Sequence, residues 1–408
     1  MSSECIKKVC VFTETYYPII GGGESQAVLL NSGLVENNIQ VLVVVRRNYS
    51  ALKKEEVINN VRVRRIKPIG KGNFQRWVMI FTSVPVLIKE RKNYDLIFVS
   101  GFRTLGIPAV LVSKIFRKIS ILKSDTLGEM SGNFFLPGLQ NIGVNKFPFL
   151  LKVFLYFRNL LFKKADAYVS LSKEITSEFK NSGVDQSKIY EIPNCIDPEK
   201  FFKVTEDDKV KLRTKLNLPV KGKILIFTGR LVLSKGLPLL VNVWNEIQKK
   251  YKDAMLLIVG SGKDILFSCE EEIKNFVKEN KLEGSVRFTG FVNSDEIHEY
   301  VKSSDIFVLP SESEALPVSL IEAMACGLVP IVTPVGGIKD VIKNNFNGLL
   351  MNVGDFKQLY HFIELLINNE NLLKKMGENA LLTVSQKYSK SIVLKSYIDL
   401  FNKLNNSK

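Results

Sequence analysis

One pattern restricts this chain more than any other. Strands that read as unbroken apolar runs alternate with helical stretches, and the alternation starts over part-way along. The first series opens with KKVCVFTETYYP and the glycines GGGE at 21–24, then a helical pattern SQAVLLNSGLVENN and the strand QVLVVV at 40–45. Further strands read at 94–100 (YDLIFVS), 119–125 (ISILKSD) and 165–172 (ADAYVSLS). After IPNCIDPEKF (192–201) the series restarts with KILIFTGRL (223–231), AMLLIVGSG (254–262), VRFTGFV (286–292), DIFVLPS (305–311) and VPIVTP (329–334). Strands buried on both faces and separated by helices form parallel sheets covered on both sides. The predicted fold class is therefore α/β, with two doubly wound Rossmann-like domains at 1–195 and 196–385. A C-terminal amphipathic helix within 386–408 carries Ile392, Leu394, Tyr397, Leu400 and Leu404 and is expected to pack back on the first domain. The length of 408 residues agrees with two cores rather than one.

Several classes are excluded or disfavoured. The start MSSECIKKVCVF lacks the pattern of a signal peptide, and the longest apolar runs, such as LGIPAVLV at 105–112, fall short of a membrane span. The cysteines at 5, 10, 195, 269 and 326 show no CxxC spacing and read as reduced thiols of a cytoplasmic protein. The net charge is +16, of which the first 200 residues carry +12. A basic N-terminal half fits an anionic partner, or a solvated lysine-rich surface.

Open α/β sheets bind ligands outside the carboxyl ends of their strands, so two such domains facing each other leave a cleft between those ends. In GRLVLSKG (229–236), directly after a strand, Arg230 offers a planar fork of donors and Lys235 a compact charge, a pair suited to a diphosphate. A basic surface turn has the same residues. In PSESEALPVSLIEAMACG (310–327), Pro317 suits the first helical position, and the free amides of Val318 and Ser319 would then favour an anion. Glu314 precedes that helix, and Glu322 lies roughly 7–8 Å along it at 1.5 Å per residue. The two carboxylates would flank the anion and accept hydroxyl pairs on either side of it. Spacing alone fits a solvated helix with incidental glutamates equally well. VGG at 335–337 and GGGE at 21–24 also follow strands, but neither is a GxGxxG fingerprint or a P-loop.

The combination resembles the family 4 retaining glycosyltransferases of GT-B architecture. The resemblance is carried by IPNCIDPEKF, GRLVLSKG, LLIVGSG, VRFTGFV and above all PSESEALPVSLIEAMACGLVPIVTPVGGIKDVI, with its E-x7-E element. It implies catalytic roles for Arg230 and Lys235, holding a donor diphosphate, and for Glu314, meeting the donor sugar. Glu322 would bind the ribose, Val318 and Ser319 would cap a phosphate, and Gly290 to Val292 would line the base pocket. Gly22 and Gly23 would close over the diphosphate or the acceptor side. The implied reaction moves a sugar, with retention, from a nucleotide-diphosphate sugar to a glycan or lipid-linked acceptor in surface-polysaccharide or glycoconjugate assembly. A UDP-sugar is favoured, with no cofactor and no obligatory metal.

One region departs from the family pattern. Many relatives carry a histidine after the fourth strand, whereas this chain reads ILKSDTLGE there and has only His298 and His361, both outside the predicted cleft. Asp125 could meet the acceptor or the sugar, or serve as a helix cap or turn residue. In NKFPFLLKVFLYFRNLLFKKADAY (145–168), Phe149, Val153, Phe157 and Leu160 share one helical face. That helix is read as a core helix with snorkelling lysines, or as an interfacial helix on an anionic membrane. VRVRRIKPIGKGNFQRW (61–77) adds a second basic, aromatic stretch. The alternatives weigh less. A GT-B sugar-nucleotide epimerase should have histidines in its cleft, a dehydrogenase a GxGxxG, and a nucleic-acid partner leaves the strand-end glycines and glutamates without use.

Overall fold

The computed structural model describes residues 6–19, 21–70, 72–135, 148–263 and 265–407. The chain divides into two compact units: Met1–Asn194 with Lys390–Lys408, and Cys195–Ser389.

Unit 1 is built on strands β1 (Lys8–Thr13), β2 (Gln40–Arg47), β3 (Glu55–Ile58), β4 (Val61–Ile69), β5 (Leu96–Ser100), β6 (Ile119–Lys123), β7 (Ala167–Ser170) and β8 (Ile189–Glu191). They form one sheet in the order β3-β4-β2-β1-β5-β6-β7-β8. The central strands are parallel and apolar: Val9, Cys10, Val11 and Phe12 of β1 are all buried. The basic, aromatic stretch 61–77 begins with β4, which pairs antiparallel with β3. The turn between them is Asn59-Asn60, with φ of 49° and 61°, a left-handed conformation that asparagine tolerates better than most residues. Val61 and Val63 enter the core, while the alternate Arg62 and Arg64 pair with Glu90.

Helices α1 (Gly22–Glu36), α2 (Asn73–Lys89), α3 (Phe102–Ile115), α4 (Phe149–Phe162) and α5 (Lys173–Asn181) connect these strands. Gly22 and Gly23 are the first turn of α1, not a loop. Gly21 caps the helix with extended backbone, and Glu24, held by the Thr15 hydroxyl, places negative charge at the positive end of the helix dipole.

Unit 2 contains helices α6 (Glu206–Lys215), α7 (Leu237–Lys250), α8 (Glu270–Glu279), α9 (Ile297–Lys302), α10 (Val318–Ala325), α11 (Ile338–Val341), α12 (Phe356–Asn368) and α13 (Glu370–Lys387). Its strands are β9 (Ile224–Thr228), β10 (Met255–Val259), β11 (Val286–Gly290), β12 (Ile306–Leu309), β13 (Val329–Val332) and β14 (Leu349–Leu350). They are parallel, in the order β11-β10-β9-β12-β13-β14. From β9 the chain proceeds to one side, and from β12 to the other. The crevice at such a reversal is where an open parallel sheet takes its ligand.

The last helix, α14 (Lys390–Asn406), belongs to unit 1. It lies so close to α1 that a Cβ at Gly33 would stand 2.8 Å from a Leu394 methyl. Tyr397 and Phe401 meet the Phe98 ring of β5 edge-on, at centroid separations of 5.5 and 6.3 Å. Cys10, Cys195, Cys269 and Cys326 are buried and form no disulfide; Cys5 lies outside the described residues. Among the described residues no helix is long and apolar enough to cross a membrane. Because Phe401 is buried against Phe98, we expect Phe401→Ala to destabilise the protein by about 3–5 kcal/mol in denaturant unfolding. An unchanged midpoint and slope would show that α14 contributes no packing.

Candidate functional site

The reversal point of unit 2 is assembled from the loops after β9 and β12. Beyond Thr228 the chain passes Gly229 and Arg230 and makes one tight turn, Leu233–Lys235, ending at Gly236 with φ 72°. A Cβ at Gly236 would lie 2.1 Å from the carbonyl oxygen of Pro310, so only glycine lets this turn rest on the end of β12. The Glu312 amide donates to the Ser234 carbonyl at 2.9 Å. The turn thereby delivers Lys235 Nζ to Glu314 Oε1 at 2.5 Å, and Ser311 Oγ donates to the same oxygen at 2.8 Å. The Glu314 side chain is only 8% exposed.

Gly336 and Gly337 pack against the backbone of this group. Gly336 has φ 52°, and a Cβ there would fall 1.7 Å from the Glu314 carbonyl oxygen; the Gly337 amide donates to the Ala315 carbonyl at 2.5 Å. The close approach made by Gly336 is thus to the backbone of Glu314. Arg230 differs from Lys235. It is exposed, and its guanidinium has no ion-pair or hydrogen-bond partner among the described residues.

Pro317 is the cap of α10, not its first helical residue. Its backbone is extended (φ −67°, ψ 122°), and its carbonyl accepts from the Leu320 amide at 3.3 Å. The helix starts at Val318, so the amides of Val318 and Ser319 are the first two, which no helix satisfies internally. Both residues are partly exposed. Glu322 lies one turn beyond Val318 on the same face, half-buried, and its carboxylate accepts no hydrogen bond among the described residues. Gly290 ends the edge strand β11 with φ 69°, and nothing lies within 4 Å of where its Cβ would be. Val292, two residues on, is partly exposed.

Gly22, Gly23 and Asp125 belong to unit 1. Asp125 sits in the bend after β6 and caps no helix. It accepts from Ser100 Oγ at 2.8 Å and pairs with Lys123. Sequence reasoning passed over its neighbour Glu129. That side chain is fully buried and accepts from the Asp125 amide (3.3 Å), Thr126 Oγ1 (3.2 Å) and Arg103 Nε (3.3 Å). Its other oxygen, Oε2, is buried with no hydrogen-bond partner among the described residues. Burial pushes this carboxyl up to about 7, against the pull of Arg103 and with a further push from Asp125. The sequence signal was the spacing of two acids four apart after a strand, which does not distinguish a buried acid from a solvated one.

Residues 20–200 match the family described as Glycosyltransferase Family 4, and residues 208–382 match Glycosyl transferases group 1. The chain is 30% identical to the N,N'-diacetylbacillosaminyl-diphospho-undecaprenol alpha-1,3-N-acetylgalactosaminyltransferase of Campylobacter jejuni, over 78% of this chain and 80% of that one. The chain belongs to glycosyltransferase family 4. Sucrose-phosphate synthase from Thermosynechococcus elongatus resembles this family 4 glycosyltransferase with a TM-score of 0.82 at 19% identity, covering 98% of this chain and 100% of that one. Anabaena HepE in complex with UDP-glucose matches with a TM-score of 0.76 at 18% identity, covering 97% and 100%. The fold is of the GT-B class, with two Rossmann-like parallel sheets.

In this glycosyltransferase, desolvation pushes the Glu322 carboxyl from its ordinary 4.5 up to about 7. Between those values the folded chain holds a proton that the unfolded chain has released, so this group's contribution to stability falls as pH rises from 4.5 to 7. Glu322→Gln removes the dependence. Its stability relative to the parent should rise by up to about 3 kcal/mol across that window, measured by urea unfolding on both sides of it. A difference that stays constant with pH would mean that the carboxyl ionises as an ordinary glutamate.

Proposed function

We propose that this glycosyltransferase moves a sugar, with retention, from a nucleotide-diphosphate sugar to a glycan or lipid-linked acceptor, and that a UDP-sugar is its donor. The observation that carries the reading is the charge arrangement at the β9/β12 reversal. There Arg230, an exposed arginine with no partner among the described residues, and Lys235, a lysine held by a carboxylate, come from one strand-end loop, and the open helix start of α10 follows the other. That set suits a leaving diphosphate. As the bond from the anomeric carbon to the diphosphate oxygen breaks, negative charge grows on that oxygen, and fixed cations and amides stabilise it without reorganising. The acceptor oxygen forms the new bond at the same carbon and passes its proton to the departing diphosphate oxygen.

In this reading Arg230 and Lys235 hold the diphosphate, and Val318 and Ser319 donate their amides to it. Glu314 accepts from the hydroxyls of the transferred sugar and keeps Lys235 in place. Glu322 accepts from the ribose. Gly290 and Val292 border the base; in unit 1, Gly22 and Gly23 belong to the acceptor side, and Asp125 meets the acceptor. The reading of the acceptor as lipid-linked and of the donor as a UDP-sugar has support from relatives: the Campylobacter enzyme's name gives a diphospho-undecaprenol substrate, and the Anabaena protein was solved with UDP-glucose.

Two measurements test this. A thermal-shift screen of UDP-, GDP- and ADP-sugars should stabilise the protein with the UDP-sugars, by roughly 2.7 kcal/mol at about 100 times Kd. Stabilisation by another base alone overturns the donor assignment. With the donor so found, Lys235→Ala should lower turnover about 10²–10³-fold while the variant remains folded. Near-normal turnover would remove Lys235 from the chemistry.

A further inference from the structure

Helix α4 is built the wrong way round for a soluble surface helix. On such a helix the apolar stripe faces the core and the charges face water. Here Phe149 is 76% exposed and Phe157 64%, and Leu150, Val153, Tyr156 and Leu160 are exposed as well. These positions make one continuous stripe at helical spacing. The buried face holds Leu155, Phe162 and the charged Arg158, which is 3% exposed. This overturns the core-helix reading of 145–168; residues 145–147 lie outside the described residues.

The orientation is fixed by specific bonds. Arg158 donates to the Met130 carbonyl at 2.6 Å and to the Arg103 carbonyl at 3.3 Å, and its guanidinium stands 5.1 Å from the Phe162 ring centroid. Rolling the aromatic stripe inward would strip a buried cation of these acceptors, at a far greater cost than leaving the stripe exposed.

The stripe continues onto a second helix. Trp77 of α2 meets Phe154 of α4 edge-on at 5.3 Å, and Phe74 and Phe81, one turn to either side of Trp77, are exposed. A contiguous apolar surface of this extent marks a contact with something other than water.

Charge says what that something is. There is no acidic residue between Glu56 and Glu90, nor between Glu129 and Asp166, the stretches of sequence in which α2 and α4 lie. Lys67, Lys152, Lys163 and Lys164 are exposed and have no acidic partner among the described residues. Lys152 lies on α4, and Lys163 and Lys164 follow its end. The Lys67 carbonyl accepts from Thr82 of α2. Helix α4 has 14 residues and so spans about 21 Å, short of the ~30 Å hydrocarbon thickness. An apolar stripe rimmed by lysines on helices too short to span fits the plane of a bilayer interface.

We infer that the α2/α4 face of unit 1 docks onto an anionic lipid bilayer, with the phenylalanines in the acyl boundary and the lysines on the headgroups. The inference does not rest on the sugar-transfer reading, because vesicle binding is measured without donor or acceptor. Trp77, 39% exposed, stands in the surface, whereas Trp244, the other tryptophan, is wholly buried in unit 2. Trp77 is therefore the reporter.

The full chain is mixed with phosphatidylcholine vesicles, with or without about 30% phosphatidylglycerol, at low and high salt. On the anionic vesicles the tryptophan emission should shift to the blue, become shielded from acrylamide and be quenched by brominated acyl chains. Binding should weaken at high salt and on neutral vesicles. The double variant Phe149→Ser/Phe157→Ser alters only exposed side chains, so its thermal unfolding should match the parent's while its affinity drops at least tenfold. Lys163→Glu/Lys164→Glu should weaken binding to anionic vesicles alone. Equal binding to neutral and anionic vesicles, no binding, or unchanged affinity of the phenylalanine variant would each overturn the inference. So would concentration-dependent self-association of the parent that the phenylalanine variant abolishes, which would make a second copy the occupant.

Discussion

The contact between Lys235 and Glu314 is the constraint on which the ligand edge of unit 2 depends. It joins the loop after β9 to the loop after β12, the two strands between which the sheet changes direction. A lysine alone at a strand end would sample many rotamers. Tied to a carboxylate that is itself fixed by Ser311 and by the backbone packing of Gly336, it has one position. Two glycines make this possible: a side chain at 236 would push the loop after β9 off the end of β12, and one at 336 would push the loop after β13 off the Glu314 backbone. The pair is polar but poorly exposed to solvent, so removing either partner leaves the other inside without compensation.

Both units take arginines inside. In unit 2, Arg213 is 5% exposed and bonds Asp305 at 2.6 Å, while Arg230 is left open at the edge. Unit 1 takes in several. Arg46, 2% exposed, bonds Glu14 at 2.8 Å; Glu14 also receives Arg76 at 2.8 Å; Arg65 pairs with Glu56; Arg158 relies on carbonyl oxygens. The +12 of the first 200 residues is therefore neither all surface nor all binding site. Part of it cross-links strand ends to helices from within, and what is left for an outside partner is mostly lysine.

The strands and their order of appearance were legible because parallel strands buried on both faces leave unbroken apolar runs, as in VCVF of β1 and ILIF of β9. The loops of interest were legible because they follow such runs. Three things were not. The β3/β4 hairpin was hidden by arginines that alternate with valines and pair above the sheet. The burial of Glu129 depends on the Gly128 to Ser131 backbone folding back onto Glu178, which no local pattern announces. The amphipathic spacing of α4 gave a face but not its direction, because the deciding bonds of Arg158 reach residues 28 and 55 positions away. Gly336 was legible as a special position, but its reason, the Glu314 carbonyl, is a contact across 22 residues.

Helix α14 has a consequence for synthesis. Unit 1 begins with the first strand of the chain and ends with its last helix, and unit 2 is threaded between them. While the chain emerges from the ribosome, every residue of unit 2 becomes available before Tyr397 and Phe401 can cover Phe98. The N-terminal unit, made first, is completed last. For the whole of that interval Phe98 and the face of α1 around Gly33 lack their cover, so unit 1 keeps an apolar face open to solvent until unit 2 has been made.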